Sequence, residues 1–137
     1  MNKATPIAIV GAGLGGLAAA IKLKEAGYEN FVILEKADRV GGTWAQNTYP
    51  GCSCDVPVAL YQYSFAPAIH WTNTYPHSSE VQAYAEQLVE GFGLASHLRL
   101  NSEAVSVIWN DTNSTWSVTT RGEIGRASCR ERVLMPV

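Results

Sequence analysis

The residues Gly11-Ala12-Gly13-Leu14-Gly15-Gly16 set glycines in a G-x-G-x-x-G pattern, and Glu35 follows at the roughly 20-residue distance at which an acidic side chain completes a dinucleotide-binding fingerprint. Gly11 suits a tight turn. Gly13 leaves room for a diphosphate to approach the backbone, and Gly16 lets a helix pack closely on a strand. Unpaired N–H groups and the positive dipole end of that helix then face the phosphates. A carboxylate at Glu35 accepts hydrogen bonds from both ribose hydroxyls and repels a 2′-phosphate. The competing reading is a glycine-rich turn in another α/β protein with a merely solvated Glu35. The spacing does not separate FAD from NAD, although a loop this close to the first residue leans towards FAD.

Other chemistry-bearing residues give weaker signals. Cys52 and Cys54 form C-x-C, but no second Cys or His pair follows at zinc-ligand spacing, so no metal is expected. His70, His77 and His97 are scattered, with no nucleophile beside them in sequence, and read as surface or packing residues. Asp55 follows Pro50-Gly51, where a carboxylate can cap a turn through nearby backbone N–H groups.

The elements that must position the glycine loop are legible from apolar patterning. Ile7-Ala8-Ile9-Val10 reads as a buried parallel strand. Leu14, Leu17, Ala18 and Ile21 recur at helical spacing, with Lys22, Lys24 and Glu25 opposite and Gly27 as the stop. Phe31-Val32-Ile33-Leu34 is a second strand ending at Glu35, which completes a βαβ unit. Between Lys36 and His77 no periodicity is sustained; Gly, Pro and aromatic residues there predict a long functional loop packed against something. Ser78 or Ser79 is the expected cap of a helix whose apolar face is Val81, Tyr84, Ala85 and Leu88. A short strand at Leu98 to Leu100 follows. Ala104 to Asn110 and Thr115 to Thr120 then flank Asp111-Thr112-Asn113-Ser114 as a β-hairpin.

Composition narrows the class. The chain has 137 residues, 47% hydrophobic and 16% charged, enough for one folded domain. A formal charge of −2, with basic residues gathered only near the end, argues against a nucleic-acid or membrane-binding surface. No apolar run approaches the roughly 20 residues of a membrane span, and no signal peptide is apparent. Three cysteines suggest no disulfide framework, so a cytoplasmic setting is expected.

Beyond the glycine loop, three further runs are more distinctive. They are Lys36-Ala37-Asp38-Arg39-Val40-Gly41-Gly42-Thr43-Trp44, then Asn47-Thr48-Tyr49-Pro50-Gly51, then Asp55-Val56-Pro57. Together with Tyr61-Gln62-Tyr63-Ser64-Phe65 they resemble class B flavin monooxygenases, the flavin-containing and Baeyer–Villiger enzymes, over about residues 5 to 120. The resemblance implies FAD as cofactor and NADPH as reductant. It also implies O2 as co-substrate, with one oxygen atom passing to a small organic ketone, nitrogen or sulfur centre and the other becoming water. It implies that Gly11, Gly13, Leu14, Gly15 and Gly16 hold the FAD diphosphate, and that Glu35, with Lys36 beside it, meets the adenosine ribose. Gly42, Thr43 and Trp44 would line the flavin side, with Asp55 and Tyr61 near the ring and Ala104 touching adenine through its backbone. Asp55 is the implied active-site residue, pairing with an arginine from outside this chain. Ala45 and Gln46 depart from the aromatic pair more usual in the family.

The expected fold is therefore α/β and truncated: a Rossmann-type FAD-binding βαβ unit, a long cofactor-covering loop, a helix and a small antiparallel hairpin. Residues 1–122 are assigned to the FAD/NAD(P)-binding domain. Residues 123–137 are assigned to a non-native tail, because Glu123 to Val133 resembles a translated sequencing adapter; a native basic extension is the alternative. Without the three basic and two acidic residues in Glu123 to Val133, seven basic stand against ten acidic, or −3. Such a fragment is expected to lack monooxygenase activity by itself and to retain FAD weakly. The rival functions are a non-catalytic FAD-binding module, and a reductase or amine oxidase that shares only the glycine loop.

Overall fold

The computed structural model describes residues 5–68 and 70–121, together with the backbone of 129–134. Strand β1 (Ile7–Val10) runs into helix α1 (Leu14–Glu25) and returns as β2 (Phe31–Leu34), parallel to β1 with Ile9 opposite Ile33. A one-turn helix α2 (Thr43–Gln46) and helix α3 (Ser78–Gly91) follow, then β3 (Leu98–Arg99), β4 (Glu103–Asn110), β5 (Thr115–Arg121) and β6 (Cys129–Leu134). The sheet order is β3-β2-β1-β6-β5-β4.

Both faces of β1 and β2 are covered, which is why their sequences read as unbroken apolar runs. Successive side chains point to opposite faces. Ile7, Ile9, Phe31 and Ile33 join Leu17, Ala20, Ile21, Tyr84, Ala85 and Leu88 in the core beneath α1 and α3. Ala8 and Leu34 face the other way and pack with Val118, bordered by Val32, Ala104 and Val107. The hairpin thus forms a third layer behind the parallel strands. Its tip carries a Trp109–Trp116 cross-strand pair with centroids 5.3 Å apart.

Three details differ from the sequence reading. The inward face of α1 is Gly16, Leu17, Ala20 and Ile21, while Leu14 and Ala18 border a cavity with Leu60, Tyr61 and Tyr63. Close approach to the strands selects the small residues for the sheet side. The N-cap of α3 is His77, not either serine, and Glu80 accepts its backbone N–H at 3.0 Å. The third concerns the segment read as a tail without usable periodicity, where Cys129–Leu134 is extended. Its first half pairs antiparallel with β5 and its second half parallel with β1. Such pairing is made by backbone groups, which β1 must satisfy on both edges.

Candidate functional site

The glycine loop connects the C-terminal end of β1 to the N-terminus of α1. Gly11 has φ +97°, a conformation glycine adopts without strain, and its N–H donates to the Leu34 carbonyl at 2.7 Å. At Gly16 a Cβ would collide with the Gly11 carbonyl oxygen, so only a bare Cα lets α1 begin where it does. Among the described residues no side chain caps this helix end. Its first-turn N–H groups are the unpaired donors that bind anions at such termini.

Glu35 leaves β2 directly beside this loop and is 4% exposed. Its Oε2 accepts the Ala12 N–H at 2.7 Å, and its Oε1 accepts the Ala37 N–H at 2.8 Å. A carboxylate oxygen has two acceptor directions, so each retains one for a further donor. The Glu35 backbone is equally tied: its N–H donates to Arg99 and its carbonyl accepts the Ser102 N–H at 2.8 Å. This draws the start of β4, with Ala104, to the side of Glu35. Lys36 is exposed at the rim.

The second glycine pair closes over the first. Gly41 donates to the Ala12 carbonyl at 2.9 Å, and a Cβ on Gly42 would lie 3.1 Å from the Gly13 Cα. Gly41 and Gly42 have φ +114° and +55°. They bring Thr43, which is exposed, and the half-buried Trp44 to the front of the loop as the first turn of α2. Trp44 Nε1 donates to the Tyr61 hydroxyl at 3.1 Å, with the rings edge to face. Tyr61, Leu14 and Gly15 share the lining of a cavity of about 370 Å³.

Asp55 is exposed and makes no hydrogen bond among the described residues, so nothing there supports a turn-capping role. Its position is set by its neighbours. Cys54 N donates to the Pro76 carbonyl and Ser78 N to the Cys52 carbonyl, which pins residues 52–54 to the start of α3. Ser53 Oγ lies 2.8 Å from His77 Nδ1. Cys52 and Cys54 are buried free thiols. His97 stacks on Phe31 at 4.0 Å as a packing residue.

Gly11 to Gly16, Glu35, Lys36 and Gly42 to Trp44 therefore converge, and Tyr61 joins them through Trp44. Ala104 approaches from the hairpin side. Asp55 stands apart from the group, exposed and without a hydrogen bond to it among the described residues. Ala12 and Gly41 escaped the sequence reading, since an amide's partner leaves no mark on its side chain. The second glycine pair was the available signal for Gly41.

A βαβ unit with a glycine turn and an inward carboxylate at the end of β2 defines a dinucleotide-binding Rossmann unit. The chain belongs to the NAD(P)-binding Rossmann-like domain family, whose model matches residues 9–88. It is 44% identical over 119 residues to a Baeyer–Villiger monooxygenase of Streptomyces coelicolor, an alignment that covers 86% of this chain and 23% of that protein. Among solved structures, ε-caprolactone-bound cyclohexanone monooxygenase matches with TM-score 0.83 and 35% identity, covering 95% of this chain and 26% of that one. OTEMO in complex with FAD and NADP matches with TM-score 0.84 and 26% identity, covering 96% and 25%. The chain thus spans about a quarter of the length of the relatives it matches. No helix among the described residues is long and apolar enough to cross a membrane.

Proposed function

We propose that this chain is the FAD-binding portion of an NADPH-dependent flavin monooxygenase of the Baeyer–Villiger kind, which passes one atom of O2 to a small organic substrate such as a ketone. The observation that carries this reading is the Glu35 carboxylate fixed on the Ala12 amide of the glycine loop. The same contact sets the diphosphate turn and the ribose acceptor side by side. The bare Cα faces of Gly13 and Gly42 meet each other, so the second glycine turn closes tightly on the loop assigned to the diphosphate.

On this reading Gly11, Gly13, Leu14, Gly15 and Gly16 surround the diphosphate, Glu35 takes the ribose, and Lys36 lies at the rim. Ala104 offers its backbone to adenine. Gly42, Thr43, Trp44 and Tyr61 face the flavin side, and Trp44 and Tyr61 hold each other in place. Asp55 is exposed, with no hydrogen bond among the described residues, and is assigned the ion pair with an arginine elsewhere in the full enzyme. Bound FAD supplies the redox chemistry, with NADPH as reductant; the residues here bind, orient and exclude water.

We assign residues 1–122 to this domain and 123–137 to a non-native tail whose strand contributes sequence-independent backbone pairing; the source nucleotide sequence tests that division. The free thiols of Cys52 and Cys54 accord with a reducing cytoplasm. The functional reading is tested by titrating the purified chain into FAD, NAD+ and NADP+. Saturable quenching of flavin fluorescence, abolished in Glu35→Ala, is the expected result. Binding of NADP+ in preference to FAD would overturn it.

A further inference from the structure

The Gly41–Gly42 turn has a support behind it that the glycine loop does not supply. Gln82 projects from the second turn of α3, and its amide nitrogen donates to Glu86 Oε1 at 3.0 Å. Its amide oxygen is buried and accepts no hydrogen bond among the described residues. A buried acceptor left unpaired is costly, so its position calls for a reason. The oxygen occupies the place where a Gly41 Cβ would stand, and the methyl of Ala45 lies 3.4 Å from that same point.

We propose that Gln82 is a positioning residue for the cofactor-facing turn. The Glu86 contact aims its amide, and the amide oxygen fills the space over the Gly41 Cα, in reach of the weak C–H···O contact that a glycine Cα offers. Gly41 then has little freedom. Its N–H is held by the Ala12 carbonyl, its carbonyl accepts the Trp44 N–H at 3.2 Å, and the Gln82 amide stands at its side. Because Ala12 is also the donor to Glu35, Gln82 stands at the end of a continuous line from α3 through Gly41 and Ala12 to the carboxylate. Gly42 follows Gly41 directly, so a shift at Gly41 alters its approach to Gly13. The inference rests on the FAD reading for its ligand but not for its contact.

The test uses Gln82→Ala, which empties the space, Gln82→Met, which keeps an unbranched side chain of similar volume, and Gly41→Ala. Flavin-fluorescence titration of the whole chain is expected to give about tenfold weaker FAD binding for Gln82→Ala and near-unchanged binding for Gln82→Met. In urea unfolding, the Gly41→Ala/Gln82→Ala double variant is expected to recover part of the midpoint lost by Gly41→Ala. The remaining loss belongs to the alanine at φ +114°. Unchanged FAD affinity in a folded Gln82→Ala protein, equal weakening in both Gln82 variants, or strictly additive midpoint shifts would each overturn the proposal. If the unaltered chain fails to quench FAD, the cofactor reading fails, and the urea cycle still decides the Gln82–Gly41 contact.

Discussion

Glu35 and Ala12, 23 residues apart, are joined by a 2.7 Å hydrogen bond from the Ala12 N–H to the buried carboxylate. The second carboxylate oxygen holds Ala37 N–H at 2.8 Å. A side chain expected only to meet a ligand therefore also locks the glycine turn proposed to meet the diphosphate.

Glu35→Gln separates these two roles poorly, and that is informative. An amide can turn its oxygen to Ala12 or to Ala37, but its NH2 then confronts the other N–H. One buried donor is left unpaired, at a cost of about 1–3 kcal/mol. Urea unfolding is expected to register that loss with no ligand present, alongside weaker FAD binding. Unaltered stability would mean that the carboxylate does not hold the loop.

Gly16→Ala sets two effects in opposition. Alanine in a helix is favoured over glycine by about 1 kcal/mol. The added methyl, however, collides with the Gly11 carbonyl oxygen, and its next neighbour is the Ile9 side chain at 3.5 Å. Backbone on one side and core on the other leave no cheap escape, so the clash wins. A net destabilisation of about 3 kcal/mol is expected by chemical unfolding.

The parts legible in the sequence are those written in local pattern. Ile7–Val10, Leu14–Glu25 and Phe31–Leu34 lie where apolar runs and helical spacing place them, and the hairpin flanks its predicted turn. The face of α1 was less legible, because whether Leu14 or Gly16 points inward depends on how near the sheet comes. His77 as the cap of α3 was hidden for a similar reason. Histidine is an uncommon cap, and Ser53 and Glu80 hold it from outside the helix's own first residue. The glycine loop and Glu35 were readable as a motif; the Ala12–Glu35 and Gly41–Gln82 contacts were not, since both depend on tertiary placement that residue type alone does not give.

Tyr63 ties the long loop to the start of α1. Its hydroxyl donates to the Leu14 carbonyl, its N–H donates to the Tyr84 hydroxyl at 3.1 Å, and Tyr84 in turn donates to the Ala66 carbonyl at 2.7 Å. Burial, with the neighbouring Tyr84 second, pushes the Tyr63 phenol up to about 12. It stays a neutral donor through the whole alkaline range in which enzymes are assayed. Tyr63→Phe keeps the stacking on Phe65, whose centroid is 4.9 Å away, and removes only the donor. A loss of about 1 kcal/mol is expected, with faster amide exchange across residues 57–66 than in the unaltered chain. Equal exchange would place the loop's anchorage elsewhere.

Glu80 makes the start of α3 sensitive to acid. Its Oε1 accepts both the Thr72 N–H and the Thr72 hydroxyl at 2.8 Å, and its Oε2 accepts the His77 N–H. The Thr72 backbone N–H, first among these donors, holds the carboxyl well below its ordinary 4.5, at about 2. A group whose folded value is depressed adds stability that is complete above its unfolded value and disappears as pH falls towards the folded one. The contribution is therefore present above about pH 4.5 and fades between there and about pH 2. The site is largely open to solvent, which screens the effect, so the shape of the pH curve is the better readout than its height. Glu80→Gln retains a side-chain acceptor for the cap but does not titrate. Its urea midpoint is expected to fall less steeply than that of the unaltered chain over this window and to lie below it at pH 7. Parallel curves would assign the acid sensitivity to another carboxylate.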